Sequence, residues 1–575
     1  MPFTTRPNIM GTHGVVASGH YLASVIGLDI LRRGGNAVDA GVAMGFALSA
    51  LEPHSYGIGG EAPILIYSAK EKHVYAIKGQ GYAPLKATIG WFRRNKIRLI
   101  PGDGFLPATV PGAFDAWITA LLSFGTLSLK DVLEPTVHLH EAGFPVYERL
   151  RSMITTFSER MRKDWPSSAK IYLPDGRIPE VGQILKNIDL AKTFRRLLAE
   201  ETTHRREGRE GAIKAVRDFF YKGYVAKEIV KFQEENEFMD ATGTKHRGLL
   251  SLEDFAEYST PVEEPTSFEY RGLTVHKCGP WSQGPVFLQQ LSLLKGFDLK
   301  SLGHNSVEYI HLIVEAAKLA YADRESYGDP DFVEVPLTKL LSDEYAAERR
   351  RLIDPDSASS LFRPGDSPPR RMRHRNTAGT RGDTTHLDAI DRDGNMIAAT
   401  PSGGWFRTSP VIEGLGFCLN TRGEIFNLDP KSPRGIQPRK RPRTTLSPTL
   451  VTKEGQPLMV FGTPGRDNQD QWTLQFFLNY VEFGMGLQEA IDAPTFHIRH
   501  FPESFYPHNE FPKVVHIENR IPQQVIKALK QKGHRVIVDE AWTHGKVTAA
   551  MTDVKTGLLT SAASPRGEVG YAIGW

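Results

Sequence analysis

One junction constrains this chain more than any other feature. Residues 354–383 (DPDSASSLFRPGDSPPRRMRHRNTAGTRGD) carry proline, serine, glycine and five arginines between Arg370 and Arg381, with no apolar periodicity. Such a tract predicts an exposed, mobile loop. It ends abruptly, because TTHLDAIDRDGNMIAAT then reads as strand, Asp-Gly turn, strand, a strong local hairpin signal. A threonine hydroxyl is a poor nucleophile unless a base is at hand, and a chain-terminal α-amine, with a pKa of about 7.7–8.0, is such a base. Cutting the bond between Asp383 and Thr384 would create that terminus at the head of a strand. The blander reading of Thr384-Thr385 is plain β-propensity. Arg381-Gly382-Asp383 also spells an adhesion tripeptide, which chance supplies often and which no secretory leader accompanies.

Elsewhere helices dominate an α/β mixture. Residues 20–33 and 37–51 read as helices separated by Gly34-Gly35-Asn36, and 57–79 reads as an antiparallel hairpin. Further helices are predicted at 111–123, 128–142, 186–200, 212–235, 283–295, 305–325, 468–482 and 521–532, with strands near 271–279 and 457–463 and a final hairpin over 547–564. The apolar runs 42–51 and 285–294 are too short to span a bilayer and read as buried helices. At 575 residues the length suits three or four domain-sized units or one large layered assembly.

Composition excludes several functions. Against 66 acidic residues stand 70 basic ones, a net charge of +4, which provides no general field for nucleic acid or an anionic membrane. Two cysteines, Cys278 and Cys418, exclude a disulfide framework and multi-cysteine zinc patterns and suit a reducing, cytoplasmic compartment. There is no P-loop, HExxH, GxSxG elbow or CxxC, and Gly57-Ile58-Gly59-Gly60 lacks the context of a dinucleotide fingerprint. His138, His140, His497 and His500 lack ligand spacing and read as structural.

A second chemical element is FGTPGRDNQDQW, residues 461–472, where a strand ends in Gly-Thr-Pro-Gly and Asp467 or Asn468 is placed to cap a helix. The N–H groups of Gly465 and Arg466 would then face outward, as in an oxyanion hole or a simple strand-to-helix turn.

With these motifs, and with VVASGHYLASVIGLDILRRGGNAVDAGVAMGFALSALEP, EAAKLAYADRESYGDPDF, KRPRTTLSPTL, APTFH and ASPRG, the sequence resembles the γ-glutamyltransferases of the N-terminal nucleophile hydrolase superfamily over nearly its whole length. The resemblance implies an α+β fold, a four-layer αββα sandwich of two interleaved subunits. Residues 1–383 would form the large subunit, with the pro-loop at about 354–383, and 384–575 the small one, together making one structural domain. It further implies cleavage between Asp383 and Thr384, Thr384 as nucleophile, Thr385 and His386 completing the Thr-Thr-His motif, Ser402 as the hydroxyl beside the nucleophile, and Gly465 with Arg466 as the oxyanion pair. It calls for no metal or organic cofactor.

Departures from the family pattern bear on substrate. The arginine that holds a γ-glutamyl α-carboxylate is replaced by Gln80, the Ser-Ser pair by Thr444-Thr445, and the asparagine, glutamine and aspartate of the ammonium site by Gly404, Arg422 and Ile425. An α-ammonium beside Arg422, with no carboxylate to meet it, would be repelled, and Arg422 would suit a carboxylate, unless it turns to solvent or a neighbouring acid. TPSGGW and GTPGRDNQ resemble a branch that includes oxamate amidohydrolase and cephalosporin-acylase-like enzymes. The expectation is therefore a self-processing amidohydrolase acting on a small carboxylate-bearing amide. A γ-glutamyltransferase or glutathione hydrolase is the second reading, and an unprocessed binding or scaffold relative the third. Partners are the amide substrate and the two subunits of one precursor, with no nucleic acid and no membrane; a homo-oligomer is left open.

Overall fold

The two apolar runs become the helices Ala37–Leu51 and Gly284–Leu294, every residue buried, lying on the outer faces of two stacked sheets. The computed structural model describes residues 3–377 and 383–575. One seven-stranded antiparallel sheet runs, edge to edge, Tyr571–Gly574, Gly14–Ser18, Leu387–Asp391, Met396–Ala399, Ile64–Ser68, His73–Ile77, Val262–Glu263. The other runs Ile9–Gly11, Leu558–Ala563, Thr548–Asp553, Gln456–Gly462, Thr449–Lys453, Leu273–Lys277, Thr266–Tyr270. In each sheet, strands from before Asp383 and after it are mixed. The predicted interleaving is thus a matter of strand order.

Alternation along these strands divides the core into layers. Val15, Leu65, Ile390 and Met396 of the first sheet meet Leu450, Val460, Ala550 and Leu559 of the second. Val16, Ile64, Ile66 and Leu387 point the other way, into one helical layer, while Val275, Met459 and Phe461 face the second. The order is helix, sheet, sheet, helix. Close approach sets the composition of Ala37–Leu51: a Cβ on Gly45 would lie 2.4 Å from Trp117, and one on Gly41 2.7 Å from Ile397. Asn36 and Asp39 close a capping box at its start. Both cysteines are buried and unpaired, and burial pushes both thiols up.

Several expectations need correcting. The helix over 212–235 is two, Gly208–Tyr221 and Tyr224–Glu235, broken at Gly223, whose backbone leaves the helical region. Helices Glu148–Lys163 and Pro166–Tyr172 were not anticipated, nor was the small sheet of Phe496–Ile498, Val514–Glu518 and Arg535–Asp539. His497 lies in that sheet, stacked on His516 at 4.9 Å. Asp467 does not cap the helix Gln469–Val481; its carboxylate pairs with Arg324 at 2.5 Å and accepts from Ser504. The tract 354–377 is mostly exposed, yet fastened by Arg363 to Glu315, Arg370 to Glu510 and Thr377 to Asn509. Arg381 and Gly382 of the adhesion tripeptide lie outside the described residues.

Candidate active site

The site is organised about Ser402. Regular pairing of the first strand after the junction begins at Leu387, and Thr384 joins the sheet through one antiparallel bridge to Ser402. On its other side Ser402 pairs with Glu61, exchanging backbone hydrogen bonds of 2.8 and 2.9 Å. The Gly57–Gly60 turn makes this possible. Gly57 N–H donates to Gly403 at 2.8 Å, and Gly404, at φ +67°, sits where a Cβ would be 2.9 Å from the Gly60 nitrogen. A side chain at 404 would force these two turns apart.

This backbone arrangement places three hydroxyl and carbonyl oxygens in a row. Arg422 Nη2 donates to Ser402 Oγ at 2.6 Å, Ser402 Oγ donates to the Asp383 carbonyl oxygen at 2.7 Å, and Thr384 Oγ1 donates to Ser402 Oγ at 3.2 Å. Thr384, Thr385 and Ser402 are all buried. A proton leaving Thr384 Oγ1 can pass to Ser402 while the proton of Ser402 moves to the Asp383 carbonyl oxygen, the transfer that attack of Thr384 on that carbonyl requires.

Charge is distributed unequally around this row. On one side Arg422 Nε lies 2.6 Å from Glu61 Oε1, and Thr444 Oγ1 donates to the same oxygen at 2.9 Å. Burial raises the Glu61 carboxyl while Arg422 and Thr444 oppose that rise. Arg422 is therefore a paired cation: of the placements left open for it, it takes the one beside a neighbouring acid. On the other side Arg149 donates to the Asp383 carboxylate. Burial would raise that carboxyl, but Arg149, then Lys546, Arg407 and His54, hold it well below the usual range. Burial pushes Lys546 down to about 8 and Arg407 down to about 10. Glu52, raised by burial, lies with Lys546, Thr384, Thr385 and Pro464 around a small cavity behind the nucleophile.

Arginine and aromatic rings alternate beside the row. Arg407 and Arg422 lie 5.1 and 5.2 Å from the Trp405 ring, and Arg422 and Arg466 lie 5.4 and 4.4 Å from the Phe505 ring. Such faces attract cations and hold like charges close together. Ile425 packs with Trp405 and Phe505 behind them.

Gly465 takes φ +149°, where a Cβ would lie 2.3 Å from the Trp472 ring, and Arg466 takes φ +57°, a left-handed conformation unusual for a side-chain-bearing residue. Neither N–H has a protein acceptor among the described residues. His386 stays away from the proton row: Nδ1 meets Thr400 at 2.8 Å and Nε2 meets Asp388 at 3.0 Å, and its ring fills the place a Cβ on Gly462 would take. Asp388 in turn accepts from Thr548, joining the two sheets. Gln80 is buried against Pro442 and Tyr258, supporting the segment that leads to Thr444-Thr445; Thr445 Oγ1 has no partner among the described residues.

Glu52, Glu61, Arg149, Arg407 and Lys546 were missed. Each is a single charge on a different element, and only Glu61, directly after a glycine turn, had any local signal. For a metal, the one suitable grouping among the described residues is His311, Glu315 and His534. Glu315 is already taken by Lys318 at 2.5 Å and Arg363 at 3.2 Å, cations that an ion would have to displace.

Fold and neighbours together define the class: an N-terminal nucleophile hydrolase fold and an enzyme that hydrolyses or transfers acyl groups at amide bonds. The gamma-glutamyltranspeptidase family matches residues 23–574. The chain is 33% identical over 510 residues to the glutathione hydrolase proenzyme of Pseudomonas sp. (strain A14), covering 86% of this chain and 82% of that one. It superposes on the solved structure of LmbA2991HD with a TM-score of 0.95 and 44% identity over all of both chains. On the cephalosporin acylase of Bacillus halodurans the TM-score is 0.86 at 30% identity, covering 100% of this chain and 98% of that one. The chain belongs to the gamma-glutamyltranspeptidase family, in a variant branch with acylase-like neighbours.

Proposed function

We propose that this chain is a precursor that cuts itself between Asp383 and Thr384 and then works as an N-terminal threonine amidohydrolase on a small, carboxylate-bearing, oxamate-like amide. The observation that carries the reading is the position of Ser402 Oγ, 2.7 Å from the Asp383 carbonyl oxygen and 3.2 Å from Thr384 Oγ1. Thr384 Oγ1 attacks the Asp383 carbonyl carbon, the bond to the Thr384 nitrogen breaks, and the resulting ester is hydrolysed by water to an Asp383 carboxylate and a free Thr384 terminus. In the mature enzyme the α-amine takes the hydroxyl proton, the Gly465 and Arg466 N–H groups hold the oxyanion, and the amine leaving group departs with that proton. Water, or less readily an amino acid, releases the acyl group. A reducing, cytoplasmic setting belongs to the same proposal, resting on the two unpaired cysteines.

A second reading has its own observation. Glu61 Oε2 is buried with no hydrogen-bond partner among the described residues, and a carboxylate oxygen there is a natural seat for an α-ammonium, as γ-glutamyl transfer needs. Processed protein given oxamate and a γ-glutamyl anilide separates the two: ammonia release from the first supports the acidic-amide reading, and anilide cleavage alone overturns it.

A further inference from the structure

Asp383 is the last residue before the proposed cut, and its side chain is held as firmly as its carbonyl. Arg149 bonds the carboxylate; Lys546 and Arg407 do not bond it but add their charge to that pull, and Lys546 lines the cavity that also holds Thr384 and Thr385. Arg407 is only 5% exposed, yet its Nε and Nη2 have no hydrogen-bond partner among the described residues, and its Nη1 reaches only Met153 Sδ at 3.7 Å. Arg149 Nε is likewise buried and unpartnered. An arginine fork left open in a buried place normally costs stability unless an anion completes it. Glu52 is the other carboxylate on this side, beside Lys546 and Thr385, and Glu61 is engaged by Arg422.

We infer that Arg407, Arg149 and Lys546 form the subsite for the substrate's carboxylate, and that in the precursor the Asp383 side chain occupies it as an internal stand-in. The inference rests on the proposed function and moves the recognition of the acidic group from Arg422 to a different set of residues. Before cleavage Ser402 Oγ holds both the Asp383 carbonyl oxygen and Thr384 Oγ1 while the Asp383 carboxylate fills the cationic subsite, so the segment is presented as a substrate. After cleavage the new Asp383 terminus is free to withdraw, and a small carboxylate-bearing amide can enter in the same orientation.

Binding of oxalate, measured by titration calorimetry, tests this without relying on turnover. It would be titrated into processed wild type, the uncut Thr384→Ala precursor, and uncut Thr384→Ala carrying Asp383→Ala. Processed protein should bind; the uncut precursor should bind at least about tenfold more weakly, the scale of one charge-assisted contact; removing the Asp383 side chain should restore binding although the chain stays whole. Arg407→Gln in processed protein should weaken binding by a similar factor, with near-ultraviolet circular dichroism reporting that it is folded. Equal binding by both uncut proteins, or full binding by a folded Arg407→Gln protein, overturns the inference. Failure of wild type to split, or to release ammonia from any acidic amide, overturns the proposed function instead, and the uncut pair still decides the inference.

Discussion

Two groups of cations flank Ser402, and they are balanced differently. Arg422 is matched by Glu61 and spends a further N–H on Ser402 itself. Arg149, Arg407 and Lys546 face Asp383 and Glu52, and one of those two carboxylates lies on the segment that cleavage would release. The paired group therefore holds the row of reacting oxygens in place whether or not the chain is cut. The group around Asp383 would change its net charge once that residue withdraws after the cut, which would suit it to taking up an anion. Position in the fold, more than residue type, separates an arginine matched by a buried carboxylate from one left, among the described residues, with open N–H groups.

That comparison can be broken at four points. Ser402 serves the whole row, so Ser402→Ala should slow appearance of the two fragments by about 10²–10³-fold, the loss typical of one oxyanion donor. Equal rates would show that Ser402 does not polarise the Asp383 carbonyl. Arg422→Gln removes a donor to Ser402 and leaves Glu61 buried without its cation, with only the Thr444 hydroxyl against it, and should slow both processing and kcat by about 10²-fold. A purely substrate-reading Arg422 would move KM alone. Arg407→Gln should show the opposite split, raising KM for the acidic amide by about tenfold or more with a smaller change in kcat.

The smallest effect is a pH dependence. Lys546 titrates near 8 in the precursor, so it is charged below that pH and neutral above it, and oxalate affinity should fall several-fold as pH rises through that range. Asp383 is among the charges that raise it; its departure moves the decline lower, so the processed enzyme should lose affinity at or below about pH 8. A chain-terminal α-amine ordinarily titrates in the same region, at about 7.7–8.0, and Lys546→Met should remove only the part due to the lysine.

The layered fold was legible because its signals are local: the Asp-Gly hairpin, the apolar helices at 42–51 and 285–294, and the motifs that mark the family. Thr384 and the 465–466 turn were singled out by local pattern, and Ser402 by the family resemblance alone. The charges were not. Arg149 lies in the first turn of an amphipathic helix, Arg407 two residues after a tryptophan in a loop, and Lys546 just before the final hairpin; nothing in their spacing joins them, and only the tertiary fold brings their charges to bear on one carboxylate. Arg422 could be located but not interpreted, because its partner Glu61 stands 361 residues away in sequence. The helix break at Gly223 shows the same limit at smaller scale, since helical periodicity runs on through it on both sides.

The central claim is the cut at the junction, and intact-mass analysis of the purified protein with N-terminal sequencing tests it most directly. The account predicts two chains, residues 1–383 and 384–575, the second beginning at Thr384, and a Thr384→Ala protein that stays whole. A wild-type protein that remains one chain of 575 residues after prolonged incubation, or one that divides at another bond, would contradict it.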